Sequence, residues 1–215
     1  MVIALVWLAL VLLVAEGMRL RQVEPEWVRK FVHIAVGNII LLAWGFNFPL
    51  AFCLAFCIPF MGLTLLSYRL PLLQSINGVG RRSLGTFYYA LSFTLLIGIF
   101  WSLSRPEFAV LGILVMTWGD ALAAIVGQRW GTHGYRAAGV YKTWEGSLVM
   151  ALVSAGVSLA VLSVSLGFSW GLVAVALGIG AVACGLEVFS QGGIDNLTVP
   201  LGSAVLAWLW VGPGF

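Results

Sequence analysis

The chain reads as an all-α polytopic membrane protein, a helical bundle of seven or eight transmembrane helices with its N-terminus outside. Three observations carry this reading. Of 215 residues, 61% are hydrophobic and 9% charged, a balance that no ordinary soluble domain exposes to water without aggregating. Apolar runs recur along the whole chain, and Lys and Arg collect in alternate connections between them, as they do in cytoplasmic loops.

The predicted helices are 2–18, 31–46, 48–66, 86–103, 107–128, 147–166, 168–188 and 197–211. About 20 residues are needed to cross a hydrocarbon core of about 30 Å, so several runs lean on their flanks. The first has no Lys or Arg before it and leads directly into Glu16 and the charged stretch Arg19 to Lys30, which marks a membrane helix and not a cleaved signal. The last begins near Thr198-Val199-Pro200 and ends at Val211. At about 1.5 Å per residue it reaches only about 20 Å, which leaves the count at seven or eight. No soluble domain, low-complexity tract or internal repeat is visible, so residues 1–215 form one membrane domain.

With the first helix running from outside to inside, the inner connections hold Arg19, Arg21, Arg29, Lys30, Arg69, Arg81, Arg82, Arg129, Arg136 and Lys142, whereas the outer ones hold only Arg105. This bias sets the orientation and places the polar segments on the cytoplasmic side. The net charge of +3 then reflects topology and phosphate attraction. Nothing resembles the basic groove with stacking aromatics that nucleic-acid binding requires. Cys53, Cys57 and Cys184 lie inside apolar runs without a Cys-x-x-Cys pair, and read as small buried hydrophobes.

Four polar constellations interrupt the apolar background. Asp120 stands in an apolar helix, where an ionised carboxylate costs roughly 2.5–3.5 kcal/mol and normally faces a protein interior or wet cavity. At 100° per residue Asp120, Ala123, Ala124, Gly127 and Gly131 share one face. Close helix packing accounts for the glycines and leaves the acid unexplained. The second group is Arg29, Lys30 and His33, which share a helix face at spacings of three and four. Membrane anchoring explains the two cations, whereas the imidazole needs a partner and suits phosphate orientation or proton relay.

The third group runs from Gly127 to Ser147 as a basic, Gly-rich loop whose tail is Lys142-Thr143-Trp144-Glu145-Gly146-Ser147. Glycine backbone and cations suit phosphate, while Thr143 as a helix cap and Glu145 as a dipole partner form the structural alternative. The fourth comprises Glu187 and the run from Ser190 to Pro200. Pro200 belongs to a first helical turn, and Asp195, Asn196 or Thr198 would cap it; the same helix start also suits an anion held through a divalent cation. Asp120, Glu145, Glu187 and Asp195 all fall at the expected cytoplasmic ends of helices five to eight, and acids beside a basic glycine loop are what a Mg²⁺–nucleotide site requires.

Arg29-Lys30-x-x-His33, Gly119-Asp120-Ala121-x-Ala123-x-x-x-Gly127-x-x-x-Gly131, Lys142-Thr143-x-Glu145-Gly146-Ser147 and Asp195-Asn196-Leu197-Thr198-Val199-Pro200 together resemble the phytol, dolichol and polyprenol kinase family. The compact length is more similar to its phytol or farnesol kinase branch. The family is also distantly similar to the CDP-diacylglycerol synthases.

The resemblance implies transfer of a nucleotide γ-phosphoryl group, typically from CTP, to the hydroxyl of a long-chain isoprenoid alcohol among membrane lipids. It implies Mg²⁺ or another divalent cation, with Asp120, Asp195 and Glu187 as metal ligands. Arg29, Lys30 and Lys142 would hold phosphates, with Gly127, Gly131, Thr143, Gly146, Ser147, Asn196 and Thr198 completing the nucleotide site. The base that receives the alcohol proton stays open between Asp120, Glu145 and His33. A cytidylyltransferase would use the same ions and pocket to attack the α-phosphorus. An ion-coupled transporter is the other alternative, although transporters place their polar groups near the bilayer midplane in broken helices related by inverted repeats.

Overall fold

The computed structural model describes residues 2–68 and 84–212; Arg69, Arg81 and Arg82 of the charge pattern lie outside them. Among the described residues ten helices follow one another, with a short hairpin between the seventh and eighth: α1 (Val2–Leu20), α2 (Pro25–Gly37), α3 (Ile39–Gly45), α4 (Leu50–Ser67), α5 (Gly85–Ser102), α6 (Pro106–Leu114), α7 (Ala121–Trp130), α8 (Trp144–Leu166), α9 (Trp170–Val188) and α10 (Asp195–Val211). The α2–α3 pair and the α6–α7 pair each act as one span, so seven stretches are long and apolar enough to cross a membrane. The 17-residue α10 is an eighth, shorter helix that packs inside the bundle against α5, α6 and α9.

Helix boundaries follow local chemistry. The second span starts at Pro25 instead of the expected residue 31, because proline fits a first helical turn and Glu26 complements the helix N-terminus. It is interrupted at Asn38, whose amide donates to the Ile34 carbonyl at 3.0 Å and accepts from the Trp118 indole at 3.1 Å. Pro200 falls inside α10, not in its first turn, because the helix begins at Asp195. Asp195 and Asn196 satisfy one another and Gly193 at 3.0–3.2 Å, while Thr198 donates to the Ile194 carbonyl at 3.2 Å. None of the three side chains caps α10.

Residues Val115–Asp120 form a π-helical turn between α6 and α7, a local widening that recurs at functional sites. It ends on Asp120. The stretch expected as an irregular loop contains an antiparallel hairpin, β1 (Gly134–Ala137) and β2 (Val140–Thr143), with Gly134 opposite Thr143. Its tip places Ala138 and Gly139 at φ +48° and +79°, as a tight hairpin turn demands. Only Gly139 adopts that conformation freely. The core is built around α6 and the π turn, where Phe108, Leu111, Ile113, Val115 and Met116 are fully buried.

Candidate active site

The polar constellations meet around one cavity of about 840 Å³, within the usual range of about 300–1,000 Å³ for small-ligand sites. Its walls come from the starts of α2, α5, α8 and α10 and from the ends of α4, α7 and α9, together with β2. In an alternating up-and-down bundle these termini belong to one end.

The whole small-residue face reaches this cavity: Asp120, Ala123, Ala124, Gly127 and Gly131 all line it. Packing has a share as well, since a side chain at Gly127 would meet the Thr143 hydroxyl at 2.8 Å. Thr143 caps α8 by accepting from the Gly146 amide at 3.2 Å. One motif therefore closes a helix junction and bounds the cavity.

Two ion pairs stand in the wall. The Lys30 ammonium, only 6% exposed, lies 3.3 Å from an Asp120 carboxylate oxygen. Lys142 on β2 pairs with the Glu187 carboxylate and donates to the Glu187 carbonyl at 2.6 Å. Breaking either buried pair would leave a lone charge, a penalty of about 3–5 kcal/mol. Arg29, at the rim, makes a two-pronged contact with Glu26 at 2.6 and 3.0 Å. Ser147 is held by the Tyr135 hydroxyl at 2.5 Å, and Asp195 and Asn196 complete the wall beneath the turn at Gln191 to Gly193.

Three anticipated residues are placed elsewhere. Glu145 turns away from the cavity and accepts from the Thr132 and His133 amides at 3.1 Å and from the His133 imidazole at 2.7 Å, bracing the hairpin base. His33 lies below the cavity, stacked on Tyr89 at 4.3 Å between ring centroids. Thr198 is half-buried, outside the cavity lining, and donates to the Ile194 carbonyl. The cavity also recruits Ser67 and Tyr68 from α4, Thr86 from α5, Gln128 from α7 and Tyr141 from β2. Of these, Ser67, Tyr68 and Thr86 were discernible only as polar residues at the ends of apolar runs.

The donor set fits a hydrated divalent cation shared with phosphate. Among the described residues no three His, Cys, Asp or Glu side chains form a ready-made metal cage. Magnesium does not need one, because it binds through one or two carboxylates, with water and substrate phosphates filling the other positions. Asp120 and Asp195 line the same cavity. Asp195 stands outside the seven long spans, and burial together with the charge of Asp120 raises its carboxyl to about 6. Mutual repulsion of this kind is what a cation relieves.

Over 215 aligned residues the chain is 48% identical to the phytol kinase of Synechocystis sp., covering 98% of this chain and 92% of that relative. The chain belongs to the phytol kinase family. A probable chloroplastic phytol kinase of Triticum aestivum is 30% identical, covering 89% of this chain and 70% of the relative. Chloroplastic phytol kinase 1 of Arabidopsis thaliana is 27% identical over 88% of this chain and 68% of its own length. No family model and no solved structure matches. Family membership thus rests on whole-length similarity to these kinases, and the aligned span takes in every element that lines the cavity.

Proposed function

We propose that this chain is a phytol kinase, which moves the γ-phosphoryl group of a nucleoside triphosphate, CTP in our reading, onto the hydroxyl of phytol. The observation that carries the chemistry is the convergence of Lys30, Lys142, Asp120 and Asp195 on one cavity at the end of an apolar bundle. A lipid alcohol reaches such a place from the membrane and a nucleotide from water. The gathering of ten of the eleven Lys and Arg residues in alternate connections supports a cytoplasmic position for this end.

In the reaction the phytol oxygen bonds to the γ-phosphorus and the bond from that phosphorus to the β–γ bridging oxygen breaks. Phytyl monophosphate and a nucleoside diphosphate result. The transition state is loose, so the protein's task is positioning and charge neutralisation. Lys30 and Lys142 exchange their carboxylate partners for phosphate oxygens, and Arg29 adds countercharge at the rim. Asp120, freed toward the cavity, and Asp195 are the residues that would hold a divalent cation, which when bound would supply charge neutralisation at the phosphates. Glu187 joins them only when Lys142 has moved to phosphate. Of the three groups considered for receiving the alcohol proton, Asp120 alone lines the cavity.

Membranes carrying the protein, incubated with phytol and CTP labelled on the γ-phosphate, are expected to yield labelled lipid. Label released only as pyrophosphate would instead identify a cytidylyltransferase and overturn the kinase assignment. Parallel reactions with ATP, UTP and GTP test the nucleotide.

A further inference from the structure

We infer that the phytyl tail lies in a cleft between α2–α3 and α4, floored by α5, and that the cleft's far end limits the length of alcohol accepted. This rests on the phytol kinase reading and deepens it. A second, wholly apolar cavity of about 70 Å³ lies toward the other end of the bundle, lined by Ile40 of α3, Cys53 and Cys57 of α4, Phe93 and Ile97 of α5 and the first turns of α1. The α2–α3 span, α4 and α5 thus line both cavities, the polar one through Lys30, Ser67 and Thr86.

Between the two cavities the shared helices are tied unevenly. The Tyr89 hydroxyl of α5 donates to the His33 carbonyl of α2 at 3.2 Å and bonds Thr117 of the π turn at 2.9 Å, which ties α2 to α5 at this level. Helix α4 packs along α5, and among the described residues no comparable contact joins α4 to α1, α2 or α3. The far end is lined by aromatic rings: Phe48 meets Phe52 at 5.3 Å and Phe52 meets Phe56 at 4.8 Å between centroids. An apolar, aromatic-lined end suits methyl-branched hydrocarbon, which gains by burial and needs no polar partner.

Depth agrees with a single occupant. From Thr86 to Ile97 the floor runs about 16 Å, and from Ser67 to Cys53 the side wall runs about 21 Å, at about 1.5 Å per residue. That exceeds one leaflet, about half of a hydrocarbon core of about 30 Å, and accommodates an extended diterpenoid chain whose hydroxyl stays at the polar cavity. Shorter alcohols such as farnesol and geraniol would stop short of the Cys53–Cys57 wall.

Cys57→Phe narrows that wall at a half-buried position. It is expected to lower phytol phosphorylation by about tenfold or more while geraniol phosphorylation and the KM for nucleotide stay within about threefold, as loss of a few buried methylenes would produce. Equal loss with both alcohols, or no change with either, overturns the cleft assignment. A phytol analogue with a diazirine at its tail end gives a readout without turnover. Adducts on residues 52–57 or 93–97 that phytol competes away support the cleft, and adducts confined to α8 or α9 overturn it. If the unsubstituted chain labels at the cleft yet phosphorylates no phytol with any nucleotide, the kinase reading fails and the tail site stands.

Discussion

The most apolar 18 residues of the span from Pro106 to Trp130 and the 18 residues of helix α4 (Leu50–Ser67) have nearly the same mean hydropathy, 2.0 and 2.2, yet 67% of the first stretch is buried inside the protein and only 17% of the second. Hydropathy decides insertion into a bilayer and says nothing about which inserted helix becomes the core. Shape decides that. On the central span, a side chain added at Gly112 would stand 2.3 Å from the Pro200 carbonyl, and one at Gly119 would stand 2.8 Å from the Met150 sulfur. Close approach at these glycines is the usual way membrane helices associate. Helix α4 has no such constraint at Gly62, where nothing lies within 4 Å. The tightly held helix carries Asp120, and the loosely held one borders the path assigned to the lipid tail.

The largest expected effect concerns the site on the central span. Chelation of divalent cations is expected to abolish lipid labelling from γ-labelled CTP, and added Mg²⁺ to restore it; labelling that survives chelation would remove the metal role of Asp120 and Asp195. Next, Lys142→Met is expected to raise the KM for nucleotide by about 10- to 100-fold, since a hydrogen bond to a charged group contributes about 1.5–3 kcal/mol. The KM for phytol is expected to hold, and a shift confined to phytol would move Lys142 out of the nucleotide site.

Packing supplies the next contrast. Gly112→Ala is expected to cost about 1–3 kcal/mol of stability through overpacking, measured by denaturant titration in micelles. Gly62→Ala is expected to be neutral or to stabilise by up to about 1 kcal/mol, as glycine in an unencumbered helix does when replaced. Equal effects at the two positions would erase the distinction between core and edge. The smallest effect on turnover is expected from Glu145→Gln, which loosens the hairpin brace and leaves kcat within about fivefold, in keeping with about 1 kcal/mol for a lost hydrogen bond. A collapse of kcat there would make Glu145 the base despite its placement.

Much of this organisation was legible in the chain. Among the described residues the apolar runs locate the seven long spans and the shorter α10, and the 100° periodicity groups Asp120 with Ala123, Ala124, Gly127 and Gly131, every one of which reaches the cavity. What escaped depends on distant partners. Lys30 and Asp120 are 90 residues apart and Lys142 and Glu187 are 45 apart, separations that no local spacing rule addresses. The hairpin at Gly134–Thr143 lacks the alternating polarity by which strands are read. Its tip puts an alanine where glycine or asparagine would have signalled the turn. Glu145 is held by Thr132 and His133 at the base of the hairpin, whereas the His33 ring stacks on Tyr89 and its buried Nε2 has no hydrogen-bond partner among the described residues. A titratable residue type in a motif identifies a candidate, and only packing assigns its direction.

The central claim is that Asp120 serves phosphoryl transfer and does more than hold Lys30 in place. Its most direct test is Asp120→Asn, which preserves size and removes the charge, assayed for phytol phosphorylation across a Mg²⁺ titration with membrane insertion checked in parallel. Activity is expected to fall by roughly 10²–10³-fold, the usual loss when a group that stabilises transition-state charge is removed, with the deficit greatest at limiting Mg²⁺. Full activity at limiting Mg²⁺ in a correctly inserted Asp120→Asn protein would contradict the assignment.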